Sequence, residues 1–113
     1  MSRDEAALFD VVHAAQQVAD FVAGLDRQTF EADARTQSAV LHQLLVIGEA
    51  VKRLSPGFKK FHPGMPWRLI AGMRDKLIHE YDEVDLDEVW STVTRDAPAL
   101  LGYIESLVLE EER

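Results

Sequence analysis

The chain has 113 residues, of which 47% are hydrophobic and 28% charged, a balance that excludes a disordered tail and indicates one folded domain over residues 1–113. It contains no cysteine, which excludes disulfides, thiolate zinc sites, iron–sulfur clusters and a cysteine nucleophile, and fits a reducing cytoplasm. The first residues, MSRDEAALFD, are acidic and lack the positively charged and apolar regions of a signal peptide, and no stretch is apolar enough to predict a membrane span.

The net charge of −8 argues against broad nucleic-acid binding, because that binding depends on lysine and arginine neutralising phosphates. The charge is unevenly distributed, however. Residues 51–80 hold seven basic and two acidic side chains, whereas the rest of the chain holds five basic and eighteen acidic ones. A basic segment on an acidic body predicts either a site for a localised anionic ligand or a solvated helix face.

The first half of the chain predicts two amphipathic helices. Ser2 and Glu5 have the spacing of a capping box, and apolar residues then recur every three or four positions to about residue 25. A second helix is predicted over 39–54, with apolar residues nearly all around it, so we expect it to be central. Three prolines and two glycines between residues 55 and 66 predict a structured loop.

The second half predicts two more helices. Pro66 suits the first turn of a helix over 66–82. Asp85 and Glu88 have capping-box spacing and open a last helix, in which Pro98 predicts a kink or break after about Thr94. No alternating strand pattern is visible, so the predicted fold is all-α, an up-and-down bundle of four to five helices.

The segment RDKLIHEY, residues 74–81, carries the most distinctive chemistry. On a helical wheel Arg74 lies at the edge of the apolar face, and His79 points about 180° away from Ile70 in that face. Asp75 and His79 are four residues apart and could form a hydrogen bond. Gly72 costs about 1 kcal/mol relative to alanine in a helix, so we expect another backbone or a ligand to approach it.

A histidine and an arginine are a workable pair for RNA cleavage. The histidine can take or give the proton of a 2′-hydroxyl or leaving oxygen, and the arginine can stabilise a charged phosphorane without a metal or other cofactor. Arg74 and His79 are nevertheless about 140° and 7.5 Å of rise apart on one helix. An arginine and a histidine at this spacing also arise by chance, so a reactive site and a plain exposed helix both stay open.

Other polar and aromatic residues have simpler interpretations. Three histidines show no metal-ligand spacing and are expected at the surface or in loops, namely His13, His42 and His62. Two tryptophans fall in apolar helical periods and are expected in the core, namely Trp67 and Trp90. Tyr81 lies on the apolar face and, by its spacing alone, is expected to be a half-buried core residue.

The sequence resembles the HepT-like toxins of the HEPN superfamily, also known as the DUF86 family. RDKLIHEY fits the R-x4-H-x-Y motif of that family, and the likeness extends to RTQSAVLHQLLVIGEAVKRLSP, HPGMPWRLIAGMRDKLIHEYDEVDLDEVW and the first helix ending in VAGLDRQTF. It covers nearly the whole chain. The resemblance implies an all-helical HEPN fold and a homodimer in which two R-x4-H motifs form one composite ribonuclease site.

The same resemblance implies roles for individual residues. Arg74 and His79 would be catalytic, and Asp75 would support them at a position where the superfamily often has asparagine; its charge would then lie near the RNA phosphate. Tyr81 matches the tyrosine to which an MNT-type nucleotidyltransferase antitoxin attaches AMP in a type VII toxin–antitoxin pair. The substrate would be tRNA or mRNA. Two alternatives share the same surface: a non-catalytic helical module that binds the nucleotidyltransferase, and a nucleotide-binding accessory subunit.

Overall fold

The computed structural model describes residues 2–79 and 83–111, and it is built from helices. In chain order these are α1 (Arg3–Val22), α2 (Arg27–Glu31), α3 (Ala34–Arg53), α4 (Pro56–Phe61), α5 (Trp67–His79), α6 (Leu86–Ser91), a π-helical segment (Thr92–Asp96) and α7 (Ala97–Glu111). No described residue lies in a strand. The predicted all-α bundle is confirmed, with α6, the π-helical segment and α7 forming one continuous last rod.

The most extensive helix contacts join α3 to α1 and α3 to α5, which confirms that the second predicted helix is central. The largest side chains that are fully removed from solvent come from α1, α2, α3, its C-cap and the last rod: Val11, Val18, Phe30, Val40, Val51, Leu54, Val93, Leu100 and Ile104. Trp67 is buried as predicted, and Trp90 is half-buried with its ring 5.2 Å from that of Phe30. Within the described ranges, no helix combines the length and the apolarity that crossing a bilayer requires.

Capping side chains set the helix boundaries, and some boundaries differ from the predicted ones. The Ser2–Glu5 capping box is present in both directions. The second long helix begins at Ala34 and not at residue 39, because the Asp33 carboxylate accepts hydrogen bonds from the Thr36 amide and hydroxyl at 3.1 and 2.6 Å. The first helix ends at Val22, just before Gly24 adopts a φ of 77°.

The predicted loop between residues 55 and 66 is partly helical. Ser55 accepts a hydrogen bond from the Phe58 amide, and Pro56 occupies the first helical position, so both residues start α4. The next long helix starts at Trp67, one residue later than predicted, and its predicted end at Asp82 lies outside the described residues.

The irregularity predicted near Pro98 takes the form of the π-helical segment. The amide of Ala97 donates to the carbonyl of Thr92, five residues earlier. Pro98 has no amide hydrogen with which to continue a regular ladder, and the Thr92 and Thr94 hydroxyls bond the carbonyls four residues before them. The last rod therefore continues past Pro98 without a break.

The Asp4 carboxylate links the start of α1 to Ser55, which lies between α3 and α4. Asp4, in the first turn of α1, accepts hydrogen bonds from the amide and the hydroxyl of Ser55, both at 2.7 Å. The Ser55 amide bond, followed by the hydroxyl bond, lowers the pKa of the Asp4 carboxyl below its ordinary value of 3.8. The ionised form is thus the one that the fold stabilises.

We expect Asp4→Asn to lower the melting temperature at neutral pH and to reduce its dependence on acid. Because the folded pKa of Asp4 is below the unfolded one, its contribution is present above the unfolded pKa and is lost as the pH falls through the folded pKa. Thermal unfolding is followed by circular dichroism from neutral to strongly acidic pH. The melting temperatures of the wild type and of Asp4→Asn should converge as the pH falls. Asp20→Asn, an exposed change on α1, is the control. A difference in melting temperature between the wild type and Asp4→Asn that stays constant with pH would contradict the role of Asp4.

Candidate functional site

Helix α5 carries the predicted site residues on different sides. The Arg74 side chain is only 27% exposed because it lies against α3, whereas His79 is exposed in the last turn of the helix. A separation of five helical residues corresponds to about 140° and 7.5 Å of rise. The outward direction predicted for His79 is confirmed, and a single chain does not bring its histidine to its own arginine. Tyr81 lies outside the described residues.

A glycine on α3 allows the close approach of α5. A Cβ atom added to Gly48 would overlap the Cβ of Arg74 and lie 2.9 Å from its Cγ and 3.3 Å from its Cα. Any larger residue would therefore push the backbone of α5 away. A Cβ added to Gly72 meets nothing within 4 Å among the described residues, so the close approach inside this chain is at Gly48, and the backbone or ligand expected at Gly72 stays a prediction.

Charged side chains from both helices fix the Arg74 guanidinium. Its Nη2 lies 2.8 Å from Oε2 of Glu49, and its Nη1 donates to Oδ1 of Asp75 at 3.0 Å. The same Asp75 oxygen accepts a hydrogen bond from the Lys52 ammonium. The Lys52 bond first, and the Arg74 bond second, lower the pKa of the Asp75 carboxyl below its usual value. Asp75 is therefore an ionised link between α3 and α5 at neutral pH.

The hydrogen bond predicted between Asp75 and His79 is not formed in the described part of the chain. Asp75 instead bonds Lys52 of α3 and its neighbour Arg74 on α5, and it forms no hydrogen bond with His79. Sequence reasoning missed Gly48, Glu49 and Lys52. The detectable signals were a glycine inside a helix with apolar residues nearly all around it and a one-turn spacing from Gly48 to Lys52, which places both on the face that contacts α5.

An open groove of about 390 Å³ runs along α3 and α5 beside Arg74. Exposed Ile78 and half-buried Leu45 and Val46 give it an apolar floor. Its lining is completed by charged and ionisable side chains, namely His42, Glu49, Arg53 and Arg74. The groove thus combines apolar surface with both signs of charge, which suits contact with another macromolecule.

The other three histidines have different surroundings. His13 is exposed on α1 and His42 on α3, as predicted. His62 follows α4 but is more enclosed than a surface residue: its Nδ1 lies 2.9 Å from the Tyr103 hydroxyl, and its carbonyl accepts a bond from the Trp67 indole at 2.8 Å. Among the described residues, no three histidine, aspartate or glutamate side chains are grouped as metal ligands.

Comparison with known proteins assigns the family. The model of the "Ribonuclease HepT-like" family matches residues 11–107, which include both α3 and α5. The chain belongs to the HepT-like ribonuclease family.

Several relatives match this chain along most of their length. A protein of Thermococcus cleftensis named probable ribonuclease HepT is 43% identical over 100 residues, covering 88% of this chain and 91% of that protein. A Methanocaldococcus jannaschii protein with RNase in its name is 36% identical over 107 residues, covering 95% of this chain and 88% of the relative. A Caldanaerobacter subterraneus relative, also named for RNase, is 38% identical over 91 residues, with 80% and 81% coverage. No solved structure matches the chain significantly.

We expect Gly48→Ala to destabilise the fold although alanine is the better helix former. The propensity gain is about 1 kcal/mol, whereas overpacking against a backbone costs about 1–3 kcal/mol. Gly72→Ala is the matched control, because its Cβ would meet open space and should raise stability by up to about 1 kcal/mol. Urea unfolding at one fixed protein concentration measures both. Equal stabilisation by the two changes would show that α3 and α5 are not in close contact at Gly48.

Proposed function

We propose that this protein is a metal-independent endoribonuclease that acts as a homodimer, with Arg74 and His79 as its catalytic residues. The observation that carries the proposal is the separation of the two side chains on α5: Arg74 is held against α3, while His79 is exposed. A second copy of α5 would supply each arginine with a histidine from the other chain. Membership of the HepT-like ribonuclease family and the ribonuclease names of its relatives support RNA as the substrate.

In the proposed reaction His79 accepts the proton of an RNA 2′-hydroxyl. The 2′-oxygen forms a bond to the adjacent phosphorus, the bond from phosphorus to the 5′-oxygen breaks, the leaving oxygen takes up a proton from water, and His79 returns its proton to the solvent. Arg74 stabilises the charge on the pentacovalent phosphorane. The products are a 2′,3′-cyclic phosphate and a 5′-hydroxyl.

The groove along α3 and α5 supports the dimer. Ile78, 46% exposed, lies one residue before His79 and lines that groove, so apolar contact there would bring the histidine toward a neighbouring chain.

The proposed biological role is that of a cytoplasmic toxin controlled by a nucleotidyltransferase antitoxin. The sequence places Tyr81 two residues after His79, and the transfer of AMP to its hydroxyl would add a negatively charged phosphate beside the RNA site. That charge would repel the RNA backbone, and the nucleotide would obstruct it. This part of the proposal depends on the R-x4-H-x-Y motif and the family.

We expect His79→Ala and Arg74→Ala each to lower RNA cleavage about 100-fold or more, because they remove a proton-transfer group and a charge-stabilising group. His13→Ala, an exposed histidine on α1, is the matched control and should cleave like the wild type. Cleavage of total bacterial tRNA and of a mixed-sequence RNA oligonucleotide, with and without a chelator, measures the effect. Unchanged cleavage by His79→Ala would refute the enzymatic proposal and favour a binding module.

Mixed dimers test the composite site. Co-expression of differently tagged Arg74→Ala and His79→Ala chains gives heterodimers with one intact arginine and one intact histidine, each on a different chain. If the two residues act across the interface, purified heterodimers should regain a substantial part of the activity that both homodimers lack. Heterodimers as inactive as the homodimers would show that each chain uses its own arginine and histidine.

We expect incubation with ATP and an MNT-type nucleotidyltransferase to add AMP at Tyr81. The sequence contains one other tyrosine, Tyr103, whose hydroxyl is engaged with His62. Intact-mass and peptide mass spectrometry should therefore show AMP units on the wild type and on Tyr103→Phe, and none on Tyr81→Phe. Modification of Tyr81→Phe to the wild-type extent would refute this assignment.

A further inference from the structure

The charges around Arg74 form an alternating chain of four side chains. Glu49 contacts one end of the guanidinium, Asp75 contacts the other, and Lys52 contacts Asp75. A single carboxylate oxygen, Oδ1 of Asp75, accepts hydrogen bonds from both Arg74 and Lys52. Two negative and two positive charges thus lie together where α3 meets α5.

The two carboxylates differ in how firmly they are held. Glu49 contacts Arg74 alone in the described structure, and its side chain is 54% exposed, so water can replace that contact at little cost. Asp75 has two cationic partners and is the neighbour of Arg74 on the same helix. A phosphate that approaches Arg74 can therefore displace Glu49, but it meets Asp75 wherever it binds.

The charge on Asp75 has opposite effects on the site. Its hydrogen bond to Nη1 orients the guanidinium, which has five N–H groups and keeps most of them available for a phosphate. Its negative charge, however, repels that phosphate, and the pKa of the carboxyl is lowered, so protonation does not remove the charge near neutral pH. An aspartate at this position is compatible with phosphate binding only if another group neutralises it.

We propose that Lys52 is a positioning residue of the RNA site, which neutralises Asp75 so that this carboxylate can orient Arg74 without repelling the RNA phosphate. The inference rests on the proposed function and adds a residue from α3 to a site otherwise assigned to α5. Lys52 lies one helical turn after Gly48, on the face of α3 that contacts α5, and the close approach at Gly48 brings its ammonium within reach of Asp75.

The test is a double-mutant cycle on steady-state cleavage of a mixed-sequence RNA oligonucleotide. Lys52→Gln should raise KM on the order of fivefold to tenfold, because an uncompensated carboxylate then faces the phosphate. Asp75→Asn should lower kcat, because the guanidinium loses the carboxylate that orients it, but it should not raise KM, because the charge that repels the phosphate is gone. The double variant should return to within about twofold of Asp75→Asn, because the charge that Lys52 neutralises is gone.

Three further measurements separate this role from a merely structural ion pair. Lys52→Arg keeps the positive charge, so its KM should equal that of the wild type. Carboxyl NMR titration should show a higher pKa for Asp75 in Lys52→Gln than in the wild type. Arg35→Gln removes one exposed positive charge about 25 Å away along α3, so it matches the change in net charge and should leave KM unchanged.

Two kinetic results would overturn the proposal while the ribonuclease activity stands. One is a Lys52→Gln enzyme with the wild-type KM when His79→Ala has lost cleavage. The other is a double variant as impaired as Lys52→Gln alone. If the wild type cleaves no RNA, the proposed enzymatic function fails by itself. Binding of the labelled oligonucleotide then tests the role of Lys52, and equal affinity of the wild type and Lys52→Gln would overturn that role.

Discussion

The close contact between α3 and α5 at Gly48 is the constraint on which the arrangement of the site depends. It sets the distance between the two helices at the level of Arg74, and so decides which side chains of α3 can reach the charged groups of α5. Glu49 follows this contact by one residue and Lys52 by one helical turn. Although glycine weakens a helix, Gly48 therefore determines where the Arg74 guanidinium lies.

The helices themselves were largely predictable, because their apolar residues recur with the period of a helix and their first turns carry capping side chains. The errors occurred where one local preference outweighed another. Asp33 extends α3 by five residues beyond its apolar run, and Ser55 with Pro56 turns part of a predicted loop into α4. In both cases a favourable cap decided the structure more than hydrophobic periodicity did.

The site was predictable only along one helix. The sequence singled out Arg74 and His79 as candidates and predicted that they point in different directions, since both inferences follow from spacing on α5. It could not show that Lys52, twenty-three residues earlier, contacts Asp75, because that pairing depends on how two helices cross. For the same reason the close approach at Gly48 was not predicted: a wheel shows which way a glycine faces, but not what lies in front of it.

The π-helical segment in the last rod changes how α6 and α7 share the core. Val89 and Ala97, both buried, are eight residues apart, which in a regular α-helix would rotate them about 80° away from each other. A π turn contains more residues than an α turn, so Thr92–Asp96 reduces that rotation and keeps both on the buried side. Seven residues of ordinary α-helix would align them about as well. The π-helical segment is thus a place where a chain of this fold can gain or lose one residue inside a helix. Elsewhere in the rod, the same change would rotate the apolar face toward solvent.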